Sequence, residues 1–190
     1  MRKADFFMII LSVDQGIAHF GYAILDVKAD SISLVDYGCF ISQPNGNQQV
    51  RIYNLISKFE DLITKYNPSY VTHERLFFSP PAKNSRKKSS SILNTNMVTG
   101  AIWYMCGKHA IEAYEYPPQS VKKTLCGDGR AEKDSIITYI ESLFDITSPK
   151  THREHICDAI AIGMTYIMKN NIQQLLAEQE KEVENVHNAG

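Results

Sequence analysis

Four residues in this sequence have the types and the placement to hold a divalent cation: Asp14, Glu74, His155 and Asp158. Asp14 ends the apolar run Met8-Ile9-Ile10-Leu11-Ser12-Val13, and Glu74 ends Tyr70-Val71-Thr72-His73. Asp158 opens the apolar stretch Ala159-Ile160-Ala161-Ile162, and His155 lies three residues before it, on the same side of a helix. Carboxylates repel one another, so several converging inside a fold are tolerated mainly when a cation sits among them. Phosphodiester cleavage is the chemistry that uses such a set: one ion activates the attacking water and a second, ~3.5–4 Å away, stabilises the leaving oxygen. Magnesium suits carboxylate and phosphate oxygens. Taken singly, Asp14 reads as a turn residue and His155 as a half-exposed helix residue. Asp158 is harder to explain that way, since an unpaired buried carboxylate is costly.

The elements that must carry these residues follow from periodicity. Met8 to Val13 reads as a buried strand, with strands from Phe20 to Asp26 and from Ser31 to Ile41 completing an antiparallel meander. Gly16 and Gly21 flank the turn after Asp14, where the backbone can bend tightly or approach a neighbour closely. After Pro44-Asn45-Gly46-Asn47, the spacing of Ile52, Leu55, Ile56, Phe59, Leu62, Ile63 and Tyr66 predicts a helix with one buried stripe, stopped by Asn67-Pro68. The strand ending at Glu74 then joins the sheet by a parallel crossover. Phe78 to Ser91 has no periodicity and reads as a solvated loop. A helix from Ile92 to Lys108, with Met97, Ala101, Tyr104 and Met105 along one face, leads to a strand from Ile111 to Tyr116. Short helices from Ser120 to Leu125 and Glu132 to Phe144 precede a last helix running from near His152 past Met168. That order predicts an α/β fold with a mixed five-stranded sheet flanked by helices.

Composition is ordinary for a soluble globular domain, with one domain expected over residues 1–169 and a polar, acidic tail over 170–190 that frays for want of an apolar face. The first apolar run is too short to span a bilayer and lacks a cleavage site, so no membrane association is expected. Cys39, Cys106, Cys126 and Cys157 are scattered without a C-x-x-C pair, which disfavours zinc or a disulfide framework and fits a reducing cytoplasm. Net charge is −1, but the tail carries −3, leaving +2 on the rest. Basic residues cluster at Lys83, Arg86, Lys87 and Lys88 and at Lys122, Lys123, Arg130 and Lys133, which leaves room for a basic face.

The strings Ile10-Leu11-Ser12-Val13-Asp14-Gln15-Gly16, Glu74-Arg75-Leu76-Phe77 and Tyr114-Glu115-Tyr116-Pro117-Pro118-Gln119-Ser120-Val121-Lys122-Lys123 come in that order. They are followed by Gly127-Asp128-Gly129-Arg130-Ala131-Glu132-Lys133 and Asp158-Ala159-Ile160-Ala161-Ile162. Together they resemble the RuvC-type Holliday-junction resolvases. The resemblance implies a ribonuclease H-like fold, a homodimer and paired incision of four-way DNA junctions, with two magnesium ions per subunit and manganese as a substitute. It assigns Asp14, Glu74 and Asp158 to metal binding and puts His155 where many members have a further Asp and others His. Lys122 and Lys133 match lysines near DNA phosphates, and such a placement leads us to expect Lys133 to offset charge on the phosphorane. Phe77 matches an aromatic that stacks on bases. Lys83, Arg86, Lys87 and Lys88 fall in a stretch longer than is common and suggest added phosphate contacts. Gln15 stands where the family usually has proline, a change expected to alter turn stiffness only. Nothing in the sequence identifies a branch-migration motor as a partner.

Three other readings compete. Actin-like ATPases share the D-x-G turn but need two such domains, for which this chain is too short. A ribonuclease H-like nuclease acting on other branched DNA or RNA is the nearest rival. A non-catalytic junction-binding protein, with the acids in structural roles, is the third.

Overall fold

The computed structural model describes residues 7–43, 45–75, 86–146 and 151–188, of which 86–92 and 182–188 are described by backbone alone. Strands β1 (Phe7–Gln15), β2 (His19–Lys28) and β3 (Ile32–Ile41) form an antiparallel meander, because the connections between them are too short for a crossover. Helix α1 (Gln48–Tyr66) follows, with the Asn47 side chain accepting from the Gln49 N–H at its start and Asn67 in a left-handed conformation at its end. Its crossover brings β4 (Tyr70–Glu74) alongside β1 in parallel, and α2 (Arg86–Lys108) does the same for β5 (Glu112–Tyr116). Strand order is β3-β2-β1-β4-β5, a mixed five-stranded sheet. Helices α3 (Pro118–Cys126), α4 (Lys133–Phe144), α5 (Arg153–Lys169) and α6 (Ile172–Asn188) complete the chain.

The sheet is covered on both faces, so β1 is buried along most of its length. Leu11, Val13, Phe20, Ile24 and Val71 pack against α1 and α2 on one side. Ile10, Ala23, Leu25 and Val27 meet α3 to α6 on the other. Burying each such side chain contributes about 1.5–3 kcal/mol. Alternation along a central strand therefore locks the β1 register: a one-residue slip would turn Asp14 to the opposite face. The last β1–β4 pair is Val13 with His73, so Asp14 and Glu74 emerge side by side at the same end of the sheet.

Two expectations are corrected. The stretch read as a loop to Ser91 is helical from Arg86, so α2 starts six residues earlier than Ile92; residues 78–85 lie outside the described residues. Lysine and arginine are good helix formers, and the helix they extend is anchored further on by Val98, Ile102 and Cys106. Met97 and Tyr104, placed on one face with Ala101 and Met105, are exposed instead. The second concerns the tail. Ile172 and Leu176, one turn apart on α6, are buried in the α5-side core, so this segment has an apolar face and is packed at its start. No helix among the described residues is long and apolar enough to cross a membrane.

Candidate active site

Three elements deliver the acids. β1 and β4 end together and present Asp14 and Glu74, while α5 crosses that end of the sheet with His155 and Asp158 one turn apart. α5 can come so close because small groups face it. A Cβ on Gly21 would lie 2.1 Å from the His155 carbonyl oxygen, and one on Gly163 would lie 2.5 Å from a Leu25 methyl. The Ser12 hydroxyl donates to the Ala159 carbonyl at 2.5 Å, tying the middle of the helix to β1.

Electrostatics show the acids acting on one another. Burial, helped by the charges of Asp14 and Asp158, pushes the Glu74 carboxyl up to about 7, against a smaller pull from Lys133. Asp158 is raised by burial and by Asp14, even though Lys133 Nζ stands 3.1 Å from its Oδ2. Burial would lower the Lys133 ammonium, but its contacts with Glu154, at 2.7 Å, and Asp158 outweigh that and raise it. His155 Nδ1 lies 2.6 Å from Asp14 Oδ2, and that bond raises the imidazole above an ordinary histidine. The His19 ring stacks on His155 at 4.9 Å.

Glu74, Asp158, Lys133 and Lys122 line a cleft of about 220 Å³, floored by Val121, Ile136 and Ile162. Asp14 and His155 are not among its lining residues. As the side chains stand, no three metal-binding groups among the described residues are gathered tightly enough to hold an ion. Two ion pairs divide them, His155 with Asp14 and Lys133 with Asp158. The chemistry of the set nevertheless fits a hard divalent cation: burial and the neighbouring carboxylates raise the proton affinity of Glu74 and Asp158, and the nearby positive charge is a lysine that has a second carboxylate, Glu154, to turn to.

Of the other sequence candidates, Phe77 and Lys83 lie outside the described residues, and Arg86, Lys87 and Lys88 are placed by backbone in the first turn of α2. Gln15 departs from the expectation that it only alters turn stiffness. Nearly fully buried, its side chain donates from Nε2 to the Glu74 carbonyl at 2.6 Å and accepts from the Glu74 N–H at Oε1, 3.1 Å away. His73 also escaped the sequence reading. It is wholly buried, contacts the Glu74 carbonyl through Nδ1 at 3.0 Å, and accepts from the Trp103 indole at 2.9 Å. Burial holds its pKa below the ordinary histidine value. Each is the chain neighbour of an acid, Gln15 of Asp14 and His73 of Glu74, but the burial that marks them out shows only in the structure.

Comparison with known proteins identifies the family and the fold. The family described as crossover junction endodeoxyribonuclease RuvC matches residues 10–166. A protein of that name from Caldicellulosiruptor saccharolyticus is 31% identical over 166 residues, covering 86% of this chain and 95% of its own. Another, from Caldanaerobacter subterraneus, is 29% identical over 170 residues, covering 89% and 98%. Among solved structures, T. thermophilus RuvC in complex with Holliday junction substrate superposes with a TM-score of 0.74 at 21% identity, covering 87% of this chain and 96% of that one. The yeast mitochondrial Holliday junction resolvase superposes with a TM-score of 0.64 at 14% identity, over 92% and 83% of the two chains. At those identities the superpositions establish the shared fold, and the family match covers the strands and helices that carry all four candidate groups. This chain belongs to the RuvC family of crossover junction endodeoxyribonucleases.

Proposed function

We propose that this protein resolves four-way DNA junctions as a homodimer, each subunit cutting one of two opposed strands by phosphodiester hydrolysis. Nucleases of this family are metal-dependent. In our reading the metal is magnesium, two ions per subunit with manganese as a substitute, and Asp14, Glu74, Asp158 and His155 would hold it. The observation that carries the proposal is the convergence of Asp14, Glu74 and Asp158 beside a lysine-lined cleft, with Glu74 held near 7 by burial and by the charges of the other two. When bound, the ions would supply the Lewis acidity that activates a water for in-line attack and stabilises the leaving 3′ oxygen, giving a 5′-phosphate and a 3′-hydroxyl.

The protein's own groups do the rest. Asp14, Glu74 and Asp158 supply anionic oxygens. His155 Nδ1 bonds the Asp14 carboxylate, and both groups would exchange that bond for the ion in order to hold it. Lys133, released from Asp158, faces the phosphate and offsets charge on the phosphorane, and Lys122 across the cleft holds the strand. Phe77, Lys83, Arg86, Lys87 and Lys88 remain proposed DNA contacts, Phe77 by stacking on a base at the crossover.

A second copy of the chain fits an exposed apolar stripe on α2. Leu93, Met97 and Tyr104 are exposed, and Cβ atoms built on Gly100 and Gly107 would meet nothing within 4 Å. Gln48 ties the start of α1 to Asn94 and Met97. A reducing cytoplasm suits the free thiols of Cys39, Cys106 and Cys126.

Purified Asp14→Asn protein with a labelled four-way junction and magnesium is the direct test. Cutting should fall by at least a hundredfold with junction binding retained; near wild-type cutting would overturn the reading. Running a flap and a plain duplex as competitors separates junction resolution from other branched-DNA cleavage.

A further inference from the structure

We propose that Gln15 and Trp103 are positioning residues for Glu74, and that through them helix α2 sets where the Glu74 carboxylate points. Glu74 is the last residue of β4 and lies beyond the last β1–β4 pair, Val13 with His73. The Gln15 carboxamide supplies the missing rung. Its Oε1 takes the Glu74 N–H and its Nε2 gives to the Glu74 carbonyl, so it grips the peptide planes on either side of one Cα. Fixing both planes fixes φ and ψ, and therefore the direction of the Cα–Cβ bond. The amide orientation is set by its partners, because only this arrangement satisfies both bonds.

The same carbonyl has a second donor. An indole N–H donates only, so the His73 Nε2 facing Trp103 must accept and its Nδ1 must carry the proton given to Glu74. Both donors are anchored on α2. Gln15 Nε2 also reaches Thr99 Oγ1 at 3.4 Å, Thr99 is held by the Thr95 carbonyl, and Thr99 and Trp103 are one turn apart. A proline at position 15 could make neither side-chain bond, so this chain has a connection between strand end and helix that the proline pattern lacks. Hydrogen bonds behind a metal-binding group typically change metal affinity or activity 10- to 100-fold. The inference rests on Glu74 being a metal-binding carboxylate, as proposed above.

Trp103 is the only tryptophan in the sequence and is 53% exposed, so its emission reports this network without labelling. The full chain, freed of metal and without DNA, would be titrated with magnesium chloride while Trp103 emission is followed, and junction cleavage measured over the same magnesium range. Wild type should show a saturable change in emission that Glu74→Gln abolishes. Gln15→Met keeps the shape and loses both bonds; its magnesium midpoint should rise about tenfold in emission and in cleavage, with junction binding without metal unchanged. A midpoint within twofold of wild type would overturn the inference. Should Gln15→Met not fold, Trp103→Phe decides by cleavage alone, again with a rise of about tenfold expected and a change under twofold overturning it. Glu74→Gln cutting at the wild-type rate would instead overturn the metal reading of Glu74, and the inference with it.

Discussion

Glu74 carries a cost that its proposed metal-binding role would explain. A carboxyl held near 7 in the folded protein, against about 4.5 unfolded, binds more protons folded than unfolded between those values. Its contribution to stability is therefore intact below about pH 4.5 and is lost as pH rises through 7. Above that, ionised Glu74 costs the metal-free fold about 3 kcal/mol. Glu74→Gln removes the ionisation and keeps the shape. At pH 8 without metal the variant should be more stable than wild type by up to about 3 kcal/mol, and at pH 4.5 the difference should vanish. Urea unfolding of both proteins at the two pH values checks this; equal stability at pH 8 would mean that neither burial nor the charges of Asp14 and Asp158 raise Glu74. Saturating magnesium should reverse the order, since only wild type would bind it through Glu74.

At the scale of elements, the site depends on how closely α5 approaches the sheet. Gly21→Ala would put a methyl against the backbone of His155, which cannot yield locally, so the first turns of α5 must shift and carry His155 and Asp158 with them. Gly163→Ala meets the Leu25 side chain and Ser12, further along the helix and away from the acids. Both should destabilise by about 1–3 kcal/mol. Gly21→Ala alone should also lose most junction cleavage at magnesium concentrations that saturate wild type, as compared by denaturant unfolding and cleavage rate under the same conditions. Much of this was legible in advance. The meander, the crossovers and the placing of Asp14 and Glu74 at one end of the sheet follow from β-branched runs, turn residues and a stripe such as Leu55-Ile56-Phe59. What was not legible depends on contacts between distant residues. Arg86 to Ser91 shows no period, so its helix is visible only once Val98 and Ile102 are seen packed on β1. Ile172 and Leu176 look like two stray apolar residues until α5 and β2 are found beside them. Gln15 and His73 read as ordinary polar positions because their partners, Glu74 and Trp103, are far along the chain or reached only across the fold.

For the whole molecule, the decisive question is whether two sites act within one encounter. A cruciform in a supercoiled plasmid is held out by supercoiling, so a single nick relaxes the plasmid and the junction is reabsorbed. Linear product therefore requires both cuts before the complex falls apart, whereas independent subunits leave nicked circles. Two active sites related by a two-fold axis meet that requirement because the same patch on each copy faces its counterpart. The α2 stripe suits such a patch: residues 93, 97, 100, 104 and 107 recur at helical spacing, with small residues between larger apolar ones, on a helix whose opposite side is buried. Replacing Leu93 and Met97 together by glutamate puts four charges across a self-complementary interface and leaves the monomer's own core untouched, since both side chains are exposed. If the proposed dimer forms through this stripe, the double variant should sediment as a monomer where wild type sediments as a dimer, and should unfold within a few degrees of it. On the cruciform plasmid it should convert substrate to nicked circles with little linear product. A variant that stays dimeric and still yields linear plasmid would place the two-fold contact on another face of the molecule.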